Sequence, residues 1–306
     1  MNKHCDLHLH LSGSISKELL IEFAKSDDNK KAIDDIETAD VLKMFKIIHD
    51  LTNSPERIEA STENVINTST ADYLEIRTTP RYFSSTTPLR HSVGAFVAGL
   101  KKHPKKAKGL LSINRYMHDV KSAQKIIEIA LEFPDHIVGI DISGINPEGI
   151  RILQGDDLKQ IVETILNSSL GLAIHIGELN LEKDSIDSTI ALNAIDQWLD
   201  QNQIDCFGKI RLGHALFLEE DHKRIIRKHR LPIEICPSCH RYLGAWNKSE
   251  GHPVQQVYSD KDSPIVIGTD DTLIFSTNFQ RELALARKEL PYSLENQCNY
   301  RFTHNP

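Results

Sequence analysis

The sequence predicts an α/β chain wound into a (β/α)8 barrel of the TIM type, and three observations carry that prediction. Eight short apolar runs, rich in β-branched residues, recur along the 306 residues. Segments with helical periodicity fill the gaps between them. Each run is also near-continuously hydrophobic, as strands covered on both faces of a parallel sheet are. A doubly wound sheet is the alternative assembly of the same units.

The first run is "CDLHLHL" at 5–11, followed at once by a Ser-Gly turn. The polar stretch 27–40 ("DDNKKAIDDIETAD") reads as a surface excursion after it. "VLKMFKIIHDL" at 41–51 carries Met44, Phe45 and Ile48 on one stripe, which suits a core-facing helix or an apolar lid over a ligand. A helix then begins at "NSPERIEASTENVI", where Ser54 can cap and Pro55 suits the first helical position. The second, third and fourth runs are "YLEIRTT" (73–79), "GLLSINR" (109–115) and "IVGIDIS" (137–143), with a helical segment at 120–133 between the last two. In "DLKQIVETILNS", Leu158, Ile161, Val162, Ile165 and Leu166 fall at i, i+3, i+4, i+7 and i+8. Gly171 breaks the chain before the fifth run, "LAIHIGE" (172–178). "IRLGHAL" (210–216), "PIEICPS" (232–238) and "PIVIGTDD" (264–271) complete the set. No linker or low-complexity tract interrupts it, so residues 1–306 are expected to form one domain.

Composition narrows the partners. A net charge of −7 and a pI near 6.1 argue against nucleic acid or an anionic membrane surface. The basic run "KKHPKKAK" at 101–108 has no interleaved aromatic residues and reads as a solvated loop. The five cysteines are an odd number, and the start of the chain resembles no secretory signal, so a reducing, cytoplasmic location is expected. No apolar run reaches the ~18–20 residues of a membrane span.

In such a barrel, chemistry gathers at the C-terminal ends of the strands, and the unusual residues of this chain fall there. His8 and His10 end the first strand on one side of it. His175 and Glu178 end the fifth, His214 the sixth, and Asp270 and Asp271 the eighth, while Gly144 follows the fourth. Each alone has a plain explanation: a chance HxH, a satisfied core histidine, a helix-capping aspartate. Four strand ends together read as one site. His8, His10, His175 and Asp270 make three imidazoles and a carboxylate, a set suited to one Zn²⁺ with a position left for water. Zinc brings the pKa of its water to about 7. Glu178 is then a proton carrier, and His214 is placed to orient or deprotonate the water. The chemistry implied is metal-assisted hydrolysis of an electrophilic carbon.

With these residues identified, the chain resembles the adenosine deaminase family of amidohydrolases. The resemblance rests on "HLHLSGS", "YLEIRTTPR", "GIDISG", "HIGE", "RLGHA", "CPSCHRYLGAW" followed by His252, and "GTDDTLIF", from Asp6 to about Phe275. It implies a barrel of the metal-dependent hydrolase kind that removes ammonia or an amine from carbon 6 of a purine nucleoside or nucleotide. By that resemblance His8, His10, His175 and Asp270 hold zinc, Glu178 protonates ring N1, and His214 assists the hydroxide. Asp271 bonds N7 and the Gly144 backbone faces N3. His10 and Ser12 also fall among the substrate contacts.

Departures from the family concern the substrate. The adenosine-specific branch has an acidic residue after HxHL, and the branch acting on N6-methyl-AMP has Asn; this chain has Ser12, which permits a 5′-phosphate. "RTTPR" resembles the nucleotide branch, with Thr79 or Arg81 in reach of a phosphate, although a rim ion pair accounts for Arg81 equally well. "YLGAW" with a later histidine resembles the nucleoside branch. Cys239 and His240 replace small polar residues and read as a changed pocket wall, with Cys236 as barrel packing. His4 is expected towards the barrel bottom, and His49, His118 and His252 at the rim or capping loops. A monomer or homodimer is expected. The alternatives are an amidohydrolase of a free base or futalosine-type nucleoside, and a non-catalytic nucleoside-binding descendant.

Overall fold

Strands covered on both faces accept little besides branched apolar residues, and all eight runs form strands. They are β1 (Cys5–His10), β2 (Tyr73–Thr78), β3 (Ala107–Asn114), β4 (Ile137–Ser143), β5 (Gly171–Ile176), β6 (Ile210–His214), β7 (Ile233–Ile235) and β8 (Ile265–Ile267). In this computed structural model, which describes residues 4–38, 40–146, 148–246, 251–294 and 297–303, they make one parallel eight-stranded sheet in sequence order. The sheet closes just past β8. Leu9 bridges Asp270, the His10 amide donates to the Asp270 carbonyl at 2.8 Å, and the Asp270 amide donates to the His8 carbonyl at 2.8 Å. Gly268 permits that closure, because a Cβ there would meet the His8 Cβ at 2.4 Å.

The helices are α1 (Lys17–Ser26), α2 (Lys30–Thr38), α3 (Val41–Leu51), α4 (Pro55–Thr68), α5 (Leu89–Lys101), α6 (Val120–Leu131), α7 (Gly155–Leu166), α8 (Glu182–Asn202), α9 (Glu220–His229), α10 (Pro237–Tyr242) and α11 (Phe279–Glu289). Ser54 caps α4 by accepting from the Arg57 amide at 3.3 Å, and Asp119 caps α6 from the Ser122 amide at 2.8 Å. The stripe Leu158, Ile161, Val162, Ile165 and Leu166 is the buried face of α7. The polar excursion at 27–40 is itself largely helical, as α2. Among the described residues, no helix is long and apolar enough to cross a membrane.

The barrel interior is not wholly apolar. Charged residues inside the strands point inward and pair there. Arg77 contacts Asp141 at 2.9 Å and Glu234 at 2.5 Å, and Arg211 contacts Glu75 and Glu234, each at 2.7 Å. All five are fully buried, so each charge depends on its partner. Below them, Phe302 packs with Leu110, Val138 and Ala173, and the Arg211 guanidinium lies 3.7 Å from its ring centroid. The same C-terminal segment is joined to β1 by a disulfide between Cys5 and Cys298, whereas Cys206, Cys236 and Cys239 are free and buried. An odd cysteine count did not point to this pair, which lies 293 residues apart in sequence and meets only because the last turn folds under the barrel.

Candidate active site

The polar strand ends converge at the top of the barrel. The donor atoms of His8, His10 and His175 lie within 4.8 Å of one another, as do those of His8, His214 and Asp270. Asp270 Oδ1 stands 3.6 Å from His10 Nε2 and 3.8 Å from His8 Nε2. Side-chain exposure is 0% for His8, 4% for His175, 7% for Asp270 and 22% for His10, so the cluster opens to solvent on the His10 side.

The backbone is strained at this point. His214 ends β6 with φ of 61°, and Asp270 has φ of 61° where the chain leaves β8. Neither residue is glycine, and such conformations cost about 1–3 kcal/mol each and collect at functional sites.

The donor set fits a metal ion. Both ring nitrogens of His8 are buried without a well-formed hydrogen bond among the described residues. Nδ1 sits 2.8 Å from the Glu234 carboxylate, which favours a proton there and leaves the Nε2 lone pair facing Asp270. Burial, with the Arg77 charge beside it, pushes His8 down to about 3, so the ring is neutral and able to ligate. Burial alone would raise Asp270, but the imidazoles of His8, His214 and His10 around it outweigh that and hold the carboxyl below its ordinary range. His175 lies 3.2 Å from Asp141 and 3.2 Å from Glu178. Burial would lower its pKa, yet those two carboxylates carry it up to about 10. They demand a positive charge between them, which a proton or a metal ion supplies.

Glu178 is buried 3.3 Å from His214 Nε2. Burial would raise its carboxyl, but His214 and His175 hold it down at about 2. Asp271 is the opposite case. Burial first, then the neighbouring Asp270 and Glu178 charges, push its carboxyl well above the ordinary carboxylate range, which favours the protonated form. Its Oδ1 is buried without a hydrogen-bond partner among the described residues. The Ser-Gly turn after β1 accommodates it, because a Cβ on Gly13 would lie 1.9 Å from that oxygen.

The other expected positions lie around this centre. Ser12 opens a 3-10 turn over Ser12–Ser14, directly before Gly13. Gly144 leaves β4 with φ of 123°, against the Asn114 side chain. Thr79 follows β2 and lines a small cleft with Arg81 and Ser92. Arg81 is engaged elsewhere: its guanidinium donates to the Thr52 carbonyl at 2.6 Å and the Thr52 hydroxyl at 2.5 Å, and to the His49 carbonyl at 3.4 Å.

Sequence reasoning passed over the supports, Asp141, Glu234 and Arg77. Their signal was available, since a charge inside a strand covered on both faces has to be paired. It also left His240 as pocket wall, whereas His240 Nε2 lies 3.0 Å from His214 Nδ1.

Known proteins resemble this chain along most of its length. The sequence profile of the family described as "Adenosine deaminase" matches residues 3–302. The N6-mAMP deaminase of Arabidopsis thaliana is 27% identical, the match covering 94% of this chain and 87% of that one. The human N6-Methyl-AMP deaminase is 27% identical over 92% of this chain and 81% of its own. A crystal structure of Arabidopsis ADAL complexed with IMP superposes with a TM-score of 0.77 at 27% identity, covering 95% of this chain and 87% of that one. With the profile spanning the whole barrel, the chain belongs to the adenosine deaminase family and is a hydrolytic deaminase acting on a carbon–nitrogen bond.

Proposed function

We propose that the chain is a zinc-dependent deaminase of a 6-aminopurine nucleotide, of the AMP or N6-methyl-AMP type, giving the 6-oxopurine nucleotide and ammonia or methylamine. The observation that carries this reading is the convergence of a Glu178 carboxyl held low, an Asp271 carboxyl pushed up and His214 beside one metal-competent cluster. Zinc held by His8, His10, His175 and Asp270 would act as a Lewis acid that makes water a nucleophile near neutral pH. Glu178 accepts the proton given up by the attacking water and delivers it to N1, which makes C6 electrophilic. His214 orients the water. Asp271, whose surroundings favour the protonated form, donates to the N7 lone pair, and the Gly144 backbone meets N3. His10, on the open side, borders the sugar.

On the 5′ side, Ser12 sets no carboxylate against a phosphate. Thr79 offers a hydroxyl, and Arg81, anchored on Thr52, supplies positive charge behind it. The relatives named for N6-methyl-AMP, and the relative crystallised with IMP, support a nucleotide.

The test is amine release by zinc-loaded protein offered adenosine, AMP and N6-methyl-AMP in parallel. Turnover of the nucleotides with kcat/KM at least about tenfold above adenosine is expected, a preference worth roughly 1.4 kcal/mol. Turnover of adenosine alone, or of none of the three with zinc bound, would overturn the reading.

A further inference from the structure

Three histidines stand in a line behind the reaction cavity. His214 Nδ1 is 3.0 Å from His240 Nε2, and His240 Nδ1 is 2.8 Å from His252 Nε2. The line ends on backbone: the Val254 amide donates to His252 Nδ1 at 3.1 Å. All three rings are buried, and Trp246 packs edge-on against His252 with centroids 4.9 Å apart.

A backbone amide can only donate, so it sets the direction of every bond in the line. His252 Nδ1 must accept, which places the His252 proton on Nε2. That proton is donated to His240 Nδ1, so the His240 proton is on Nε2. His240 in turn donates to His214 Nδ1, and the His214 proton is left on Nε2. The Cys236 amide, 3.4 Å from His240 Nε2, would call for the reverse order. Reversal would leave His252 accepting at both nitrogens, which a neutral imidazole cannot do, and the 3.4 Å contact is the longer one. That order leaves one proton on each ring, and burial, which lowers His240 and brings His252 to about 3, agrees with neutral rings there.

We propose that His240 and His252 are positioning residues that lock His214 in the Nε2–H tautomer, presenting a hydrogen-bond donor rather than a free base to the cavity. His214 Nε2 lies 3.3 Å from Glu178 Oε1 and 3.1 Å from His175 Nδ1, so the donor is aimed where the substrate and water react. Proton abstraction from water then falls to Glu178, and His214 holds the attacking oxygen in place. The tautomer follows from the hydrogen bonds alone, and only its catalytic consequence rests on the deaminase reading.

The test is a long-range ¹H–¹⁵N correlation spectrum of zinc-loaded protein labelled at histidine, with His214 and His240 assigned from their Asn variants. Nε2–H tautomers are expected for His214, His240 and His252. In His240→Leu, His214 is expected to shift wholly or partly to Nδ1–H. Its kcat should fall roughly 10- to 100-fold, the order of losing one oriented donor, with KM within about threefold and zinc content unchanged. His240→Gln, whose amide can accept from His252 and donate to His214, is expected to restore most of the loss. An Nδ1–H signal for His214 in the wild type would overturn the proposal without reference to any substrate, even if the leucine variant does not fold. So would a His240→Leu protein that keeps both the tautomer and kcat. His214, Cys236 and His240 also hold their donor atoms within 4.8 Å of one another. A second equivalent of zinc, lost in His240→Gln, would therefore overturn it too, by making this line a metal site.

Discussion

Gly13 has no room for a side chain, since a Cβ there would lie 1.9 Å from Asp271 Oδ1 and 2.6 Å from its Cβ. Gly13→Ala must push the whole Asp271 side chain aside. Catalysis is expected to drop at least about tenfold while zinc content stays the same, because the proposed role of Asp271 is on the base and not on the metal. Retention of wild-type kcat/KM in that variant would remove Asp271 from the site. At this scale the sequence was legible where polarity broke an apolar run at its end, as at His8, His10, His175, His214 and Asp270. Polarity in mid-strand was read as part of the run. Glu75, Arg77, Asp141, Arg211 and Glu234 were missed for that reason, though they form the ionic interior on which His8 and His175 rest. The role of His240 was hidden by distance, because 26 residues separate it from His214 and only the turn from β7 into α10 brings the rings together.

At the scale of elements, the C-terminal end of α3 is held by Arg81, whose guanidinium donates to the Thr52 and His49 carbonyls. Orphan carbonyls at a helix end need such a donor. Arg81→Ala is expected to destabilise the protein by about 1–3 kcal/mol, read by denaturant unfolding. If Arg81 also faces a phosphate, KM for AMP rises in the same variant while KM for adenosine does not. A fully stable variant would contradict the cap. The strands were legible because being covered on both faces leaves a continuous apolar signature. Their ends were less so: β8 stops at Ile267, three residues before Asp270, because from Thr269 onward the chain turns to bond β1. The stretch 27–40 read as a surface excursion because its residues are mostly polar, and within it α2 forms and packs a narrow face with Ala32 and Ile36 buried.

At the scale of the molecule, the C-terminal segment ties the barrel bottom together. Phe302 fills it, the Phe302 amide donates to Glu75 at 2.9 Å, and Cys298 is bonded to Cys5. Cys298→Ser is expected to cost about 2–5 kcal/mol of stability under oxidising conditions, with kcat retained because the active site is at the opposite end. Equal stability of variant and wild type would mean the pair does not form in solution. Acid sensitivity belongs to this scale as well. Burial brings His252 to about 3 in the fold, against 6.5 for an unperturbed histidine, so between those values the unfolded chain binds the extra proton. Stability contributed by this residue is whole above pH 6.5 and is lost as pH falls towards 3, at up to about 1.4 kcal/mol per pH unit. In His252→Asn the acid limb of the stability curve is expected to be shallower by about one proton, and an unchanged slope would contradict the neutral, buried ring.

The most direct measurement is single-turnover deamination of N6-methyl-AMP by zinc-loaded wild type and Glu178→Gln, with metal counted in both. Expected is one zinc per chain in each, and a rate in Glu178→Gln lower by about 10²–10⁴-fold, the span of a positioned acid–base group. A Glu178→Gln protein that keeps its zinc and turns over at the wild-type rate would contradict the assignment of proton transfer to Glu178, and the proposed mechanism with it.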